Sequence, residues 1–343
     1  IRKFDSSSYL LSKFFPPNVR DSFIFIKSFN IELSKLSTGY QASSPSKSRT
    51  QNKQFNNFKF QFWNEQIDNC FTGQRMGRRL AGDPVTTLLN DLLDKGIQLD
   101  LGMLKQMIIS HQTFFKEHSQ HGFQTVEDMC SFGEGTYSQI NYILQSALLS
   151  PSLSPFPDTA IRLLESSGES PVKELISDIA AHLGQATSIS SFLIGLRYHA
   201  SARGVLMLPE DSVSKNGSSQ ESIIRFLSGE DDGNTRELVK NIVFEVATIA
   251  NDHILTARSK IDQLKKTEIP QLLKMIGDRK LEQDWSALNN GLPDSLFLPF
   301  MNGIPAIIFL EKLEKNDFDI TSPSIQVKDW RLAWRCYRSF NTR

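Results

Sequence analysis

Arg197 and Arg203 close a long apolar stretch, and the arginine fork is the side chain best shaped to grip a phosphate or carboxylate. With Lys27 they form a candidate anion site, although ordinary helix-end cations have the same composition. Tyr198 and His199 could be read as an acid/base pair. A histidine at a helix end is more often a hydrogen-bonded structural residue. Glu134 is a single acid between Gly133 and Gly135, which favours a bend or close packing over chemistry. His111, His118 and His121 invite a metal reading, but share a helical face only if the helix continues through Gly122, and no cysteine or second acid motif supports them. A wet helix end is expected instead. Asp231-Asp232 lacks the alternating oxygen ligands of a calcium loop and reads as a solvated turn.

Carboxylates are missing from two long windows. No Asp or Glu occurs between Asp178 and Glu210, where the average acid content predicts about three. Between Leu33 and Asn64 the charges are all basic: Lys35, Lys47, Arg49, Lys53 and Lys59. Glu32, the acid just ahead of that window, lies near Lys27 and Lys35. A divalent ion about 4 Å from an unpaired ammonium is opposed by about 8 kcal/mol at an effective dielectric of about 20. Magnesium is therefore not expected, nor any other cofactor. The three cysteines, Cys70, Cys130 and Cys336, are too scattered for a disulfide framework or a zinc site, which suits a reducing compartment and buried thiols. No glycine-rich phosphate loop and no G-x-S-x-G is present, so nucleotide and serine-hydrolase chemistry lack a basis. With Lys+Arg and Asp+Glu both at 38, net charge gives no reason to propose nucleic acid or an anionic membrane, although local charge can differ.

The elements that must position these residues are helical. Ala180, Gly184, Thr187, Ser188, Ser191 and Gly195 recur at helical spacings in a central helix that starts at Pro171 and lets its neighbours approach closely. The pattern predicts helices over 6–19, 20–36, 55–71, 84–95, 99–117 and 125–149, with Thr125 and Asp128 as an N-terminal cap. Residues 236–265 give the longest uninterrupted candidate. Polar inserts at 39–54 and 213–221 read as loops. Leu296–Leu310 is apolar but broken by prolines and shorter than the about 20 residues a spanning helix needs. Strand-like alternation is scarce, so about a dozen helices are expected in one all-α domain over 1–343.

Gly184, Ala186, Leu196-Arg197, Arg203 and Leu208-Pro209 together resemble the second signature of the squalene/phytoene synthase family. Ser8-Tyr9 with Pro16-Pro17 and Arg20 is similar to the family's opening block. Further likeness lies in Phe62-Trp63 to Pro84-Val85, in Gly133-Glu134-Gly135-Thr136-Tyr137-Ser138, and in the tail from Leu298-Pro299-Phe300 through Asn316-Asp317-Phe318-Asp319-Ile320 to Pro323-Ser324. The likeness covers nearly the whole chain. In active members an aspartate follows the arginine and a second acid stands one turn on, holding magnesium against a prenyl diphosphate. Here Tyr198 follows, and Phe29-Asn30-Ile31-Glu32-Leu33 replaces the acid-rich first motif.

The resemblance therefore implies an isoprenoid-synthase-like bundle around a central cavity, in a degenerate, non-catalytic branch. Members of that branch serve early assembly of respiratory complex I in the mitochondrial matrix, peripheral to the inner membrane, with complex I subunits or assembly factors as partners. A vestigial pocket, holding an anion, prenyl or lipid ligand, would be built from Ser8, Tyr9, Lys27, Asn30, Glu32, Glu134, Tyr137, Gln185, Ser188, Arg197, His199 and Arg203. It is expected to stay hollow because Gly184, Thr187, Ser188 and Ser191 are small. The rivals are an active magnesium-dependent prenyl synthase, and a permanent subunit of another mitochondrial assembly using the two inserts as contact arms.

Overall fold

Proline and capping residues cut the chain into short helices before any tertiary contact is considered. The computed structural model describes residues 1–38, 49–73, 83–153, 159–168, 170–230 and 233–343, with the backbone alone for 49–54. The described residues hold eighteen α-helical segments and no strand. Helices α1 (Ser6–Leu11), α2 (Pro17–Ser37), α3 (Arg49–Thr72), α4 (Pro84–Asp94), α5 (Leu101–Glu117), α6 (Val126–Gly133) and α7 (Gln139–Leu148) make the N-terminal part. Then come α8 (Thr159–Glu165), α9 (Val172–Arg203), α10 (Glu210–Lys215), α11 (Gln220–Ser228) and α12 (Gly233–Gln263). The remainder is α13 (Ile269–Ile276), α14 (Arg279–Ala287), α15 (Asp294–Phe297), α16 (Ile304–Lys315), α17 (Pro323–Gln326) and α18 (Arg331–Asn341).

Local chemistry explains the starts. Asp83 accepts from the Thr86 amide at 2.9 Å while Pro84 occupies the first turn of α4, where its missing N–H is no loss. Thr125 and Asp128 form a reciprocal capping box at α6, as the sequence indicates.

Several boundaries differ from the sequence reading. The first helix stops at Leu11 rather than running to 19, because Pro16 and Pro17 open α2. The stretch 125–149 is interrupted by a π turn at Glu134–Ser138. Insert 213–221 is not a loop: Val213 is buried inside α10, Gly217 turns the chain with φ 68°, and Ser219 caps α11. In the other insert, 49–54 are helical and 39–48 lie outside the described residues, as does Asp231-Asp232. The longest helix is α9, with 32 residues against 31 in α12.

Helix α9 runs through the centre. Its first half (Val172, Ile176, Ile179, Leu183) packs with α8, α13 and α14 around Trp285, and its second half (Ile189, Leu193, Leu196) with α6, α11 and α12. A third apolar cluster joins α2 to α3, α4, α5 and α7. Asp294–Lys315, made of α15, a 3-10 turn and α16, is 22 residues long and apolar enough by composition to span a membrane, longer than the sequence suggested. Both it and α9 bury most of that apolar surface inside the protein, at 78% and 61%.

Candidate functional site

The residues picked out from sequence fall on four elements around α9: α1, α2, the turn between α6 and α7, and α9 itself. They do not converge on one ligand set.

On α2, Asn30 faces α5. Its Oδ1 lies 3.1 Å from His111 Nε2, while Ser37 Oγ lies 3.1 Å from His111 Nδ1. With Asn30 accepting, Nε2 carries the proton and Nδ1 accepts from the serine, which fixes one neutral tautomer. Burial takes the His111 pKa down to about 3, so the ring is neutral at any physiological pH. Phe132 meets this ring edge-on at 5.2 Å and belongs to an aromatic cluster with Phe114, Phe123 and Phe192. The wet helix end expected for the three histidines holds for His118, which closes α5 with Nδ1 on the Gly122 carbonyl, and not for His111, which is core.

Glu32 is engaged by cations. Lys35 Nζ lies 2.6 Å from it, and its charge is also felt by Lys59. Lys27 is buried beside the Phe23 ring, its pKa lowered by burial and raised in part by Asp5. Tyr137 shares this neighbourhood: Asp5 acts on it too, and its hydroxyl is hydrogen-bonded to Ser191, so burial raises its pKa against that bond. In α1 the Ser8 amide donates to Asp5, and the Tyr9 ring carries Lys13 at 4.6 Å and Arg2 at 5.7 Å.

The small residues of α9 serve close approach. A Cβ on Gly184 would stand 2.1 Å from Ser138 Oγ and 2.4 Å from its backbone nitrogen; one on Gly133 would stand 2.8 Å from Ser188 Cβ. Ser188 donates to the Met129 carbonyl at 2.8 Å, Thr187 to Leu183 within its own helix. Their lack of bulk brings the π turn against α9 rather than leaving a hollow, which corrects the volume expectation. Glu134, read as unpartnered, accepts from Gln185 Nε2 at 2.9 Å across this contact. A cavity of about 390 Å³ does border Leu183, between α12, α16 and α18, walled by Ala257, Phe300 and Ile304, with Arg258 and Arg338.

At the far end of α9, Arg197 and Tyr198 are exposed. His199 Nδ1 accepts from Arg203 at 3.2 Å, and Arg203 also reaches the Ser119 carbonyl. Burial and that guanidinium hold the His199 pKa near about 4. Arg203 is thus tied to protein groups, while Arg197 faces solvent.

One cluster escaped the sequence reading. Cys130 Sγ lies 3.6 Å from His253 Nε2, and His253 Nδ1 lies 2.9 Å from His182 Nδ1. Burial raises the Cys130 pKa to about 11, so the thiol donates to Nε2, and the Nδ1 proton of His253 goes to His182. The three come from helices α6, α9 and α12, and no sequence spacing joins them. Among the described residues no group of three or more His, Cys, Asp or Glu could hold a metal ion. Glu32 bound to Lys35, and Arg197 followed by Tyr198, do not fit a magnesium–diphosphate site.

Comparison with known proteins agrees with this architecture. The squalene/phytoene synthase family matches residues 1–338. The chain is 23% identical over 338 residues to the Drosophila melanogaster NADH dehydrogenase (ubiquinone) complex I, assembly factor 6 homolog, covering 98% of this chain and 80% of that one. It is 25% identical to the Rattus norvegicus complex I, assembly factor 6 and 23% to the Homo sapiens protein, covering 98% of this chain and 78% of each. Among solved structures, a dehydrosqualene synthase in complex with ligand superposes with a TM-score of 0.60 at 11% identity, over 99% of this chain and 92% of that one.

Proposed function

The chain belongs to the squalene/phytoene synthase family, and from that membership we propose that it is a non-catalytic member acting in the assembly of mitochondrial respiratory complex I. The relatives named as assembly factors are similar along nearly the full chain, which supports the role. One observation carries the non-catalytic half: on α2, beside the missing acid motif, Asn30 is engaged by a neutral, buried histidine and Glu32 by a lysine. Ionising an allylic diphosphate requires metal ions held on facing carboxylates to meet the leaving group's charge. Neutral imidazole and lysine supply neither.

The protein works in the matrix, peripheral to the inner membrane, and its partners are complex I subunits or other assembly factors. It acts as one domain over 1–343. Ser8, Tyr9, Lys27, Asn30, Glu32, Glu134, Tyr137, Gln185, Ser188, Arg197, His199 and Arg203 are remnants of the family's pocket. Within that set Lys27, Tyr137 and Ser191 keep the polar character for an anionic head group. The cavity beside Leu183 is large enough for part of a prenyl or acyl chain.

Two measurements test this. Incubation with farnesyl or geranylgeranyl diphosphate and magnesium should release no diphosphate above background, and magnesium-dependent release overturns the non-catalytic reading. Affinity purification from mitochondria should recover early complex I subunits substoichiometrically, with the protein lost from the mature complex. Stoichiometric retention there identifies a permanent subunit instead.

A further inference from the structure

Helix α18 turns two different faces to its surroundings. Leu332, Cys336 and Phe340 pack inward against the cluster around α2, and Arg335 pairs with Glu311 of α16. The outer face carries Trp330, Trp334 and Tyr337, at i, i+4 and i+7, which are 83%, 58% and 56% exposed. Trp334 and Tyr337 stack with centroids 5.9 Å apart, and Val327, just ahead of the helix, is 65% exposed.

The charges around this face are of one sign. From Val327 to Arg343 the chain carries Lys328, Arg331, Arg335, Arg338 and Arg343 against the single acid Asp329. Asp329 is held by Arg331, and Arg343 by Asp294. Lys328 and Arg338 are exposed and have no carboxylate partner among the described residues. A second copy of this face would set cations against cations. Exposed tryptophan and tyrosine with unpaired cations match the headgroup layer of a lipid bilayer, where amphipathic rings settle at the boundary and basic side chains meet anionic lipid.

We propose that the outer face of α18, with Val327 and Lys328, docks the protein on a bilayer surface carrying anionic phospholipid. The proposal deepens the membrane-peripheral reading above, which gives the membrane; the face is assigned here from exposure and charge alone.

The tryptophans make the test direct. Of the four, Trp63 and Trp285 are buried and the other two lie on this face. Full-length protein mixed with phosphatidylcholine vesicles containing cardiolipin should show a blue-shifted emission and sediment with the lipid, and should do neither with phosphatidylcholine alone. Trp330→Ala, Trp334→Ala and Tyr337→Ala combined should abolish binding with an unchanged thermal melt. Lys328→Gln with Arg338→Gln should lower partitioning roughly thirty-fold, about fivefold per cation. No shift, an equal shift on neutral lipid, a lipid-free shift that grows with protein concentration, or binding that survives the aromatic substitutions overturns the proposal. Rescue of complex I assembly in cells lacking the endogenous factor is scored separately: rescue without vesicle binding removes this surface alone, and vesicle binding without rescue removes the assembly reading alone.

Discussion

His182 and His253 meet Nδ1 to Nδ1 at 2.9 Å across the seam between α9 and α12. A bond of that kind needs one proton between two nitrogens, so it exists only while at least one ring is neutral. Burial lowers both pKa values, helped by Lys260 at His182 and by the mutual repulsion of the two rings at His253.

Acid should therefore loosen this protein well above the carboxylate range. His111 and His199 have folded-state values of about 3 and about 4, below the ordinary 6.5, so the unfolded chain binds more protons as pH falls. Their stabilisation is complete above pH 6.5 and is lost progressively on the way down to those folded values. By about pH 4.5 each of the two removes about 2–3 kcal/mol. Urea unfolding between neutral pH and that point reads the slope, and His111→Leu should flatten it.

That same substitution is expected to cost about 1–3 kcal/mol at neutral pH, because Asn30 and Ser37 lose a buried partner. An unaltered denaturation midpoint in His111→Leu would mean that the hydrogen-bonded wedge does not hold α2 to α5.

Gly184→Ala should destabilise by about 2–4 kcal/mol, since its methyl would meet both the hydroxyl and the backbone nitrogen of Ser138. Gly233→Ala is the control: no atom lies within 4 Å of its Cβ, and its melting temperature should hold or rise slightly.

Phe192 touches Phe114, Phe123 and Phe132 at ring-centroid distances between 4.7 and 5.5 Å. Phe192→Ala should cost about 3–5 kcal/mol, and a chemical melt of the folded variant reads the loss.

Returning acids to the second motif tests whether the loss of chemistry is confined to it. Tyr198 and Ala202 are both exposed, so Tyr198→Asp with Ala202→Asp should change stability by no more than about 0.5 kcal/mol. Magnesium-dependent diphosphate release should still be absent, because Glu32 on the facing motif remains paired with Lys35. Turnover in the double variant would show that one motif suffices.

The central helix, its start after Pro171 and the capping box at Thr125 were legible because they are local: spacing, proline and a reciprocal hydrogen bond are written in adjacent residues. The charge loss at Glu32 and Tyr198 was legible for the same reason. The role of His111 was not, although Leu104, Met107, Ile108, Phe114 and Phe115 place it on the apolar stripe of α5, a periodicity that could have put it in the core. The row Cys130, His253, His182 lay beyond reach, since it depends on which faces of three helices meet. Val213 was misjudged because polar neighbours at Ser212 and Ser214 masked one buried anchor.

The π turn at Glu134–Ser138 fits one more residue into the coil than an α-helix would take. Each residue in a helix turns its successor by about 100°, so the faces that α6 and α7 bury are out of phase by that amount. Val126 and Met129 look one way along the rod, Ile140 and Ile143 another. Deleting any one residue between 134 and 138 would let the coil regularise and would swing the whole of α7 round, carrying Asn141 off the Ala180 carbonyl and Ile140 out of its cluster. The segment's length is thus a phase setting for everything downstream of it, and a same-length exchange of side chains there should be tolerated far better than a change in residue count.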